Sequence, residues 1–244
     1  MFFVPRQHHH CKAGENVKEA FPSRFGILCW NVHKANASDR RFAEVIRRWE
    51  KRYALHALVW QEAALQDTLS TTWHWDAAAN LYVNRIHYGV LTAAKTRPQE
   101  VQAWLSDKEE LWFVTRKSLL MTRYRLYDGR LLLLVNVHAI NFREHGAFEH
   151  ELSRLFDALK NFGGAVVLAG DFNTWNKARY LRLLRIARAL RLKRVPFRKS
   201  QGVKSFGGLM LDHMFYRGLN LTSFDVPDDN GISDHRPLIA CFST

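Results

Sequence analysis

The strongest constraint on this chain is a set of short apolar runs, several of them ending on, and the others flanked by, a residue able to bind a metal or move a proton. Phe25 to Val32 (FGILCWNV) carries Asn31, and HALVW (56–60) leads into Gln61 and Glu62. LLLLVNVH closes on His138, and AVVLAG (165–170) is followed at once by Asp171 and Asn173. Their length and their β-branched and aromatic content, between turn signals, mark them as buried strands. Asp212 is the second residue of the run LDHMFY (211–216), and Asp234 and His235 stand just before PLIACF (237–242). Any one of these has an ordinary reading, because Asp and Asn favour turns and a core His finds a hydrogen bond. Together they point to strand ends that converge on one site.

The segments between them set the fold class. From Asp39 to Arg52, Phe42, Val45, Ile46 and Trp49 recur at helical spacing, with Ser38 or Asp39 placed to cap. A second helix is expected after Glu62, reaching about Trp73. Residues 81–135 change character: LYV, YGVLTAA, VQAWL, LWFVT, SLLMTRYRL and LLLLVNVH follow at short intervals, with a turn signal at Tyr127-Asp128-Gly129-Arg130. That is an antiparallel meander. Helices return at 145–162, where Phe148, Leu152, Leu155, Phe156 and Leu159 form a stripe, and at about 176–192. Strands close the chain at 209–218, 221–226 and 237–242. Helices that follow strands, together with an antiparallel stretch, predict an α/β fold with two mixed sheets packed face to face and helices outside.

Composition adds a charge argument. Lys and Arg outnumber Asp and Glu by 36 to 23, a net +13, which raises the local concentration of polyanions. Cys11, Cys29 and Cys241 are odd in number and far apart, which excludes a disulfide framework. No 18-residue apolar stretch is present, and MFFVPRQHHHCK lacks the pattern of a signal peptide. A cytoplasmic protein is expected. Residues 1–23 read as a flexible leader, in which His8, His9, His10 and Cys11 have no second ligand cluster nearby, and 24–244 as one domain.

The blocks CWNVH, VWQEA, VNVHAINF, LAGDFNTW, LDHMFY and SDHRPL occur in that order. They resemble the ordered motifs of the endonuclease/exonuclease/phosphatase superfamily from about Gly26 to Phe242, in phrasing most like a bacterial branch of it. GDFN and SDHRP are specific as a pair. The resemblance implies a four-layered α/β sandwich with an active site between the two sheets at one end. It implies Glu62 as the main metal carboxylate beside Asn31, with Asp234 as a further ligand, and oxygen donors of this kind suit Mg²⁺ or Mn²⁺. Asp171 would orient and deprotonate the attacking water, with Asn173 holding the water or a phosphate oxygen. His235 would donate to a phosphate oxygen while Asp212 fixes its tautomer, and His138 would be a second donor. One departure stands out: where nuclease members often carry an acidic residue two positions after the first Asn, this chain has His33.

Eight Lys or Arg lie between Lys177 and Arg194, with Arg182, Arg185 and Arg188 opposite the apolar centre of that helix, so spacing makes them a solvated face. Trp175 could border the pocket or pack in the core, and RKSQGVKSFGG (198–208) reads as a mobile, substrate-facing loop. The expected function is metal-dependent hydrolysis of phosphodiester bonds, with nucleic acid as first partner. A phosphoinositide, sphingolipid headgroup or small phosphate ester is the alternative, and a non-catalytic phosphate-binding module is the rival from another class.

Overall fold

The computed structural model describes residues 8–66, 69–105, 118–139 and 145–244. In chain order the first elements are β1 (His9–Lys12), β2 (Arg24–Asn31), α1 (Ala35–Ser38), α2 (Phe42–Tyr53), β3 (Leu55–Ala64), β4 (His74–Val83) and β5 (Ile86–Ala94). Then come β6 (Glu100–Leu105), β7 (Ser118–Arg125), β8 (Leu131–His138), α3 (His145–Leu159), β9 (Ala165–Asp171) and α4 (Lys177–Ala189). The last are β10 (Lys193–Arg194), β11 (Ser205–Phe206), β12 (Leu209–Met210), β13 (Asp212–Arg217), β14 (Asn220–Asp225) and β15 (Leu238–Ser243).

Apart from the small β11-β12 hairpin they form two mixed sheets, one of seven strands in the order β1-β4-β5-β3-β2-β15-β14 and one of six in the order β10-β13-β9-β8-β7-β6. β2 and β3 run parallel, as do β8 and β9, and the other neighbours are antiparallel. The sheets share a core to which the larger contributes Ile27, Cys29 and Val59 and the smaller Tyr124, Leu134 and Val167. Trp30, Trp60 and Leu58 turn the other way and pack with Phe42, Val45, Ile46 and Trp49 of α2. Leu152, Leu155 and Leu159 of α3 and Leu183 and Ile186 of α4 cover the outer face of the smaller sheet. The alternation of inward and outward side chains along each strand is what buries both faces. The result is a four-layered α/β sandwich. Among the described residues no helix is long and apolar enough to cross a membrane.

Several expectations are corrected. No helix follows Glu62 in the described residues: β3 continues to Ala64, and Leu65 N–H still donates to the His87 carbonyl at 2.8 Å. Pairing with β5 outweighs the helical spacing of this Ala- and Leu-rich stretch. The antiparallel meander divides between the two sheets, β4 and β5 in one and β6 to β8 in the other. Its LWFVT segment, at 111–115, lies outside the described residues, as does the side chain of Phe148. α2 begins at Phe42, and Asp39 accepts from the Arg41 backbone N–H at 2.8 Å rather than capping that helix.

From His9 on, the supposed leader is stitched into the larger sheet. His9–Lys12 pair with Trp75–Ala78 of β4, and Phe21 is wholly buried between the sheets. Phe21 stands edge-on to Phe25, 5.0 Å away, and its ring lies 5.1 Å from Tyr124. A polar stretch with one well-placed aromatic gives little periodic signal, so its partners decided its structure.

Candidate active site

Strand register builds the site. His138, Asp171 and Asp212 end β8, end β9 and open β13, and they stand level with one another: His138 pairs with Asp171, and Asp171 with Asp212. Gly170 is what allows this. A Cβ there would sit 1.9 Å from the Val137 carbonyl oxygen, so only glycine lets β9 lie this close to β8. Across the sandwich, Asn31 ends β2, and its Nδ2 donates to Asp171 Oδ2 at 3.1 Å. The link joins the two sheets through the site itself. Asp171 Oδ1 accepts the Asn173 backbone N–H at 2.9 Å, which holds Asn173 at φ +48, and the Asn173 side chain donates to the Ala139 carbonyl.

His235 completes the group. Its Nδ1 and Asp212 Oδ2 are 2.8 Å apart, and its Nε2 lies 4.0 Å from Asp171 Oδ2. Burial opposes charge on this imidazole, but Asp212, Asp171 and Asp234 together outweigh it, so its pKa is pushed up to about 9. The loop before it is anchored: Ser233 Oγ donates to the Asn31 carbonyl, and Trp30 Nε1 donates to the His235 carbonyl at 2.7 Å. Asp171, Asp212 and His235 are buried, and each brings one ligand-capable atom within 4.8 Å of the others.

Glu62 approaches from β3, its Oε1 3.7 Å from His138 Nε2, whose other carboxylate neighbour, Asp171 Oδ2, lies at 3.9 Å. It adopts φ +51, in the left-handed region, at an irregularity where the pairing of β3 with β5 shifts register between Trp60 and Ala63. A non-glycine residue held there costs about 1–3 kcal/mol and persists only where neighbours enforce it. Asn136 does so from the opposite sheet. Wholly buried on β8, it donates to the Trp60 and Leu91 carbonyls at 3.0 Å each and accepts from Gln61 Nε2 at 2.8 Å. Sequence reasoning had not picked out Asn136, although its place two residues before His138 puts both side chains on one strand face.

Not every expected residue joins the cluster. Asp234 is half-exposed and paired with Lys204 Nζ at 2.8 Å, with His33 Nδ1 3.5 Å from its other oxygen. Although partial burial opposes ionisation, Lys204 and the neighbouring imidazoles hold its pKa below the ordinary value. His33, itself at φ +44, is exposed at the rim. Arg179, counted by sequence with a basic helix, is buried, with its guanidinium 5.1 Å over the Trp175 ring and a bond to the Asn173 carbonyl. His213 faces away from the site; burial, together with the Arg194 charge, lowers its pKa to about 3, and it is bonded to Thr174. Residues 198–208, expected as one loop, hold a 3₁₀ turn at Lys199–Gln201 and β11, which pairs with β12 just beyond them.

Known proteins resemble this chain in sequence and in fold. The family model described as Endonuclease/Exonuclease/phosphatase family matches residues 28–235. A UPF0294 protein of Vibrio parahaemolyticus serotype O3:K6 is 32% identical over 232 residues, covering 89% of this chain and 77% of its own. Among solved structures, a mannosyl-6-phosphatase of Bacteroides thetaiotaomicron aligns at TM-score 0.66 and 14% identity, over 90% of this chain and 100% of that one. D. rerio TDP2 complexed with single strand DNA product aligns at 0.63 and 14%, over 91% and 100%. At such identities the two structures speak for the fold. The extent of the family match, over the strand ends that carry the site, makes this chain a member of the endonuclease/exonuclease/phosphatase family.

Proposed function

We propose that this chain is a hydrolase that cleaves phosphoester bonds with water, and that phosphodiesters of nucleic acid are its substrates. The observation that carries the reading is the level placement of His138, Asp171 and Asp212, with Asn31 on Asp171 and His235 on Asp212. Asp171 takes the proton of the attacking water as its oxygen bonds to phosphorus and the bond to the leaving oxygen breaks. Asn173 orients that water or a phosphate oxygen. His235, kept cationic near neutral pH by Asp212, donates from Nε2 to a non-bridging oxygen, and His138 donates beside it.

The donor set fits a hard divalent cation. Glu62 offers a partly exposed carboxylate, Asn31 an amide oxygen, and Asp212 Oδ1 is buried with no hydrogen bond among the described residues. Glu62 and Asn31 would hold Mg²⁺ or Mn²⁺, which would supply charge neutralisation at the phosphate. Asp234, committed to Lys204 and His33, shapes the rim instead. Nucleic acid ranks first because the chain carries +13 and a structural neighbour is named for a single-strand DNA product. A phosphomonoester is the second reading, favoured by the cation-capable pair His33 and Lys204 at the rim.

Turnover of single- and double-stranded DNA, RNA, phosphoinositides, sphingomyelin and sugar phosphates, with Mg²⁺, Mn²⁺ or EDTA, tests this directly. Metal-dependent cleavage of a nucleic acid, abolished by Glu62→Ala, is expected; cleavage of small esters alone moves the substrate to the second reading, and no cleavage of any substrate contradicts the proposal.

A further inference from the structure

Between Lys177 and Leu211 the chain has eleven Lys or Arg and no Asp or Glu. The fold lays out the second half of this stretch along one edge of the smaller sheet. β10 pairs with β13 through Lys193 opposite Tyr216 and Arg194 opposite Phe215, and Val195 N–H then donates to the Met214 carbonyl. From there the chain runs beside β13 toward its Asp212 end, where Leu211 N–H donates to the Lys204 carbonyl and Lys204 Nζ reaches Asp234. Lys193, Arg194, Arg198 and Lys199 are exposed along this path, and Lys204 is partly so. Lys193 stands opposite Tyr216 and is therefore four residues of β13 from Asp212, about 13 Å at strand rise.

The geometry points to this edge as a track for a nucleic-acid backbone, whose phosphates lie along Lys193, Arg194, Arg198 and Lys199 and enter the active site past Lys204. The proposal rests on the hydrolytic reading for what happens at the end of the track, and it names the partner's chemistry as a repeating phosphodiester. A row of single charges along this edge matches a row of phosphates, and no acidic side chain in the segment interrupts it. Edge-strand cations also prevent sheets from pairing edge to edge. That role alone gives no affinity for an oligonucleotide.

The test is binding of a fluorescein-labelled single-stranded oligonucleotide in EDTA, followed by anisotropy across a NaCl series. The track predicts affinity that falls linearly with salt on logarithmic axes. Lys193→Gln, Arg198→Gln and Lys199→Gln combined should weaken binding at least tenfold at 0.1 M NaCl and reduce the slope by about 2. Lys193→Arg with Lys199→Arg, which keeps the charges, should bind as the wild type does. Equal affinity and slope in the Gln variant, with an unchanged melting curve, overturns the track, as does preferential binding to phosphatidylserine vesicles over the oligonucleotide. Salt-linked binding in EDTA without hydrolysis in Mg²⁺ or Mn²⁺ supports the track and overturns the hydrolytic reading.

Discussion

His235 shows how one side chain is tuned by opposed influences. Burial resists its charge, while Asp212 at 2.8 Å, Asp171 and Asp234 favour it and prevail, leaving the pKa near 9. Because the folded value is raised, the stabilisation it brings is complete below the unfolded value of about 6.5 and is lost as pH rises through about 9. In metal-free protein the imidazole resonance should titrate with a midpoint near 9, and Asp212→Asn should bring that midpoint down toward the ordinary value. A midpoint unmoved by the substitution contradicts the pairing. Asp171, Asp212 and His235 were legible in the sequence because each breaks an apolar run where a strand meets a turn. Asp234 satisfied the same rule, yet the side chains that claim it, Lys204 and His33, lie far from it in sequence, and nothing local pairs them with it.

Among the elements, β3 is the most informative, since it keeps Glu62 in a left-handed conformation at a break in its pairing. The structure assigns Asn136 the task of holding that irregularity from the other sheet. Asn136→Leu removes the side-chain donor to the Trp60 and Leu91 carbonyls and leaves Gln61 Nε2 only its longer bonds, to the Val59 carbonyl at 3.3 Å and Cys29 Sγ at 3.8 Å. We expect a loss of about 2–3 kcal/mol in urea unfolding, as buried polar groups go unsatisfied. We also expect Mn²⁺ affinity to fall about 10- to 100-fold, as for loss of outer-shell support around a metal ligand. Wild-type unfolding and wild-type Mn²⁺ titration in this variant would contradict the assignment. No local signal announced this role, because the groups Asn136 bonds are remote main-chain carbonyls and Gln61. α2 and α4 were legible for the opposite reason: their apolar stripes follow helical period and their packing agrees with it.

For the whole molecule, the four-layered sandwich follows from the strand-ending pattern and the helices between, and the resemblance of the ordered motifs pointed to the same architecture. The N-terminal segment escaped that reasoning. Phe21 sits between the sheets against Phe25 and Tyr124, and its N–H donates to the Arg125 carbonyl at 2.8 Å. Phe21→Ala should therefore cost about 3–5 kcal/mol in denaturant unfolding, the range for emptying a buried aromatic site. A change under about 1 kcal/mol is what a flexible leader would give. The site stands at the other end of β2, so both sheets must be held in register for Asn31 to reach Asp171.

On the proposed reading, this end of the sandwich hydrolyses phosphoesters with Asp171 as base. The most direct test of that reading is the rate at which wild type and Asp171→Asn release p-nitrophenol from bis(p-nitrophenyl) phosphate in Mn²⁺, with folding of both checked by circular dichroism. The expected result is measurable turnover by the wild type, stopped by EDTA and lowered about 10²- to 10⁴-fold by the substitution. Equal rates in the two proteins, or turnover indifferent to EDTA, would contradict it.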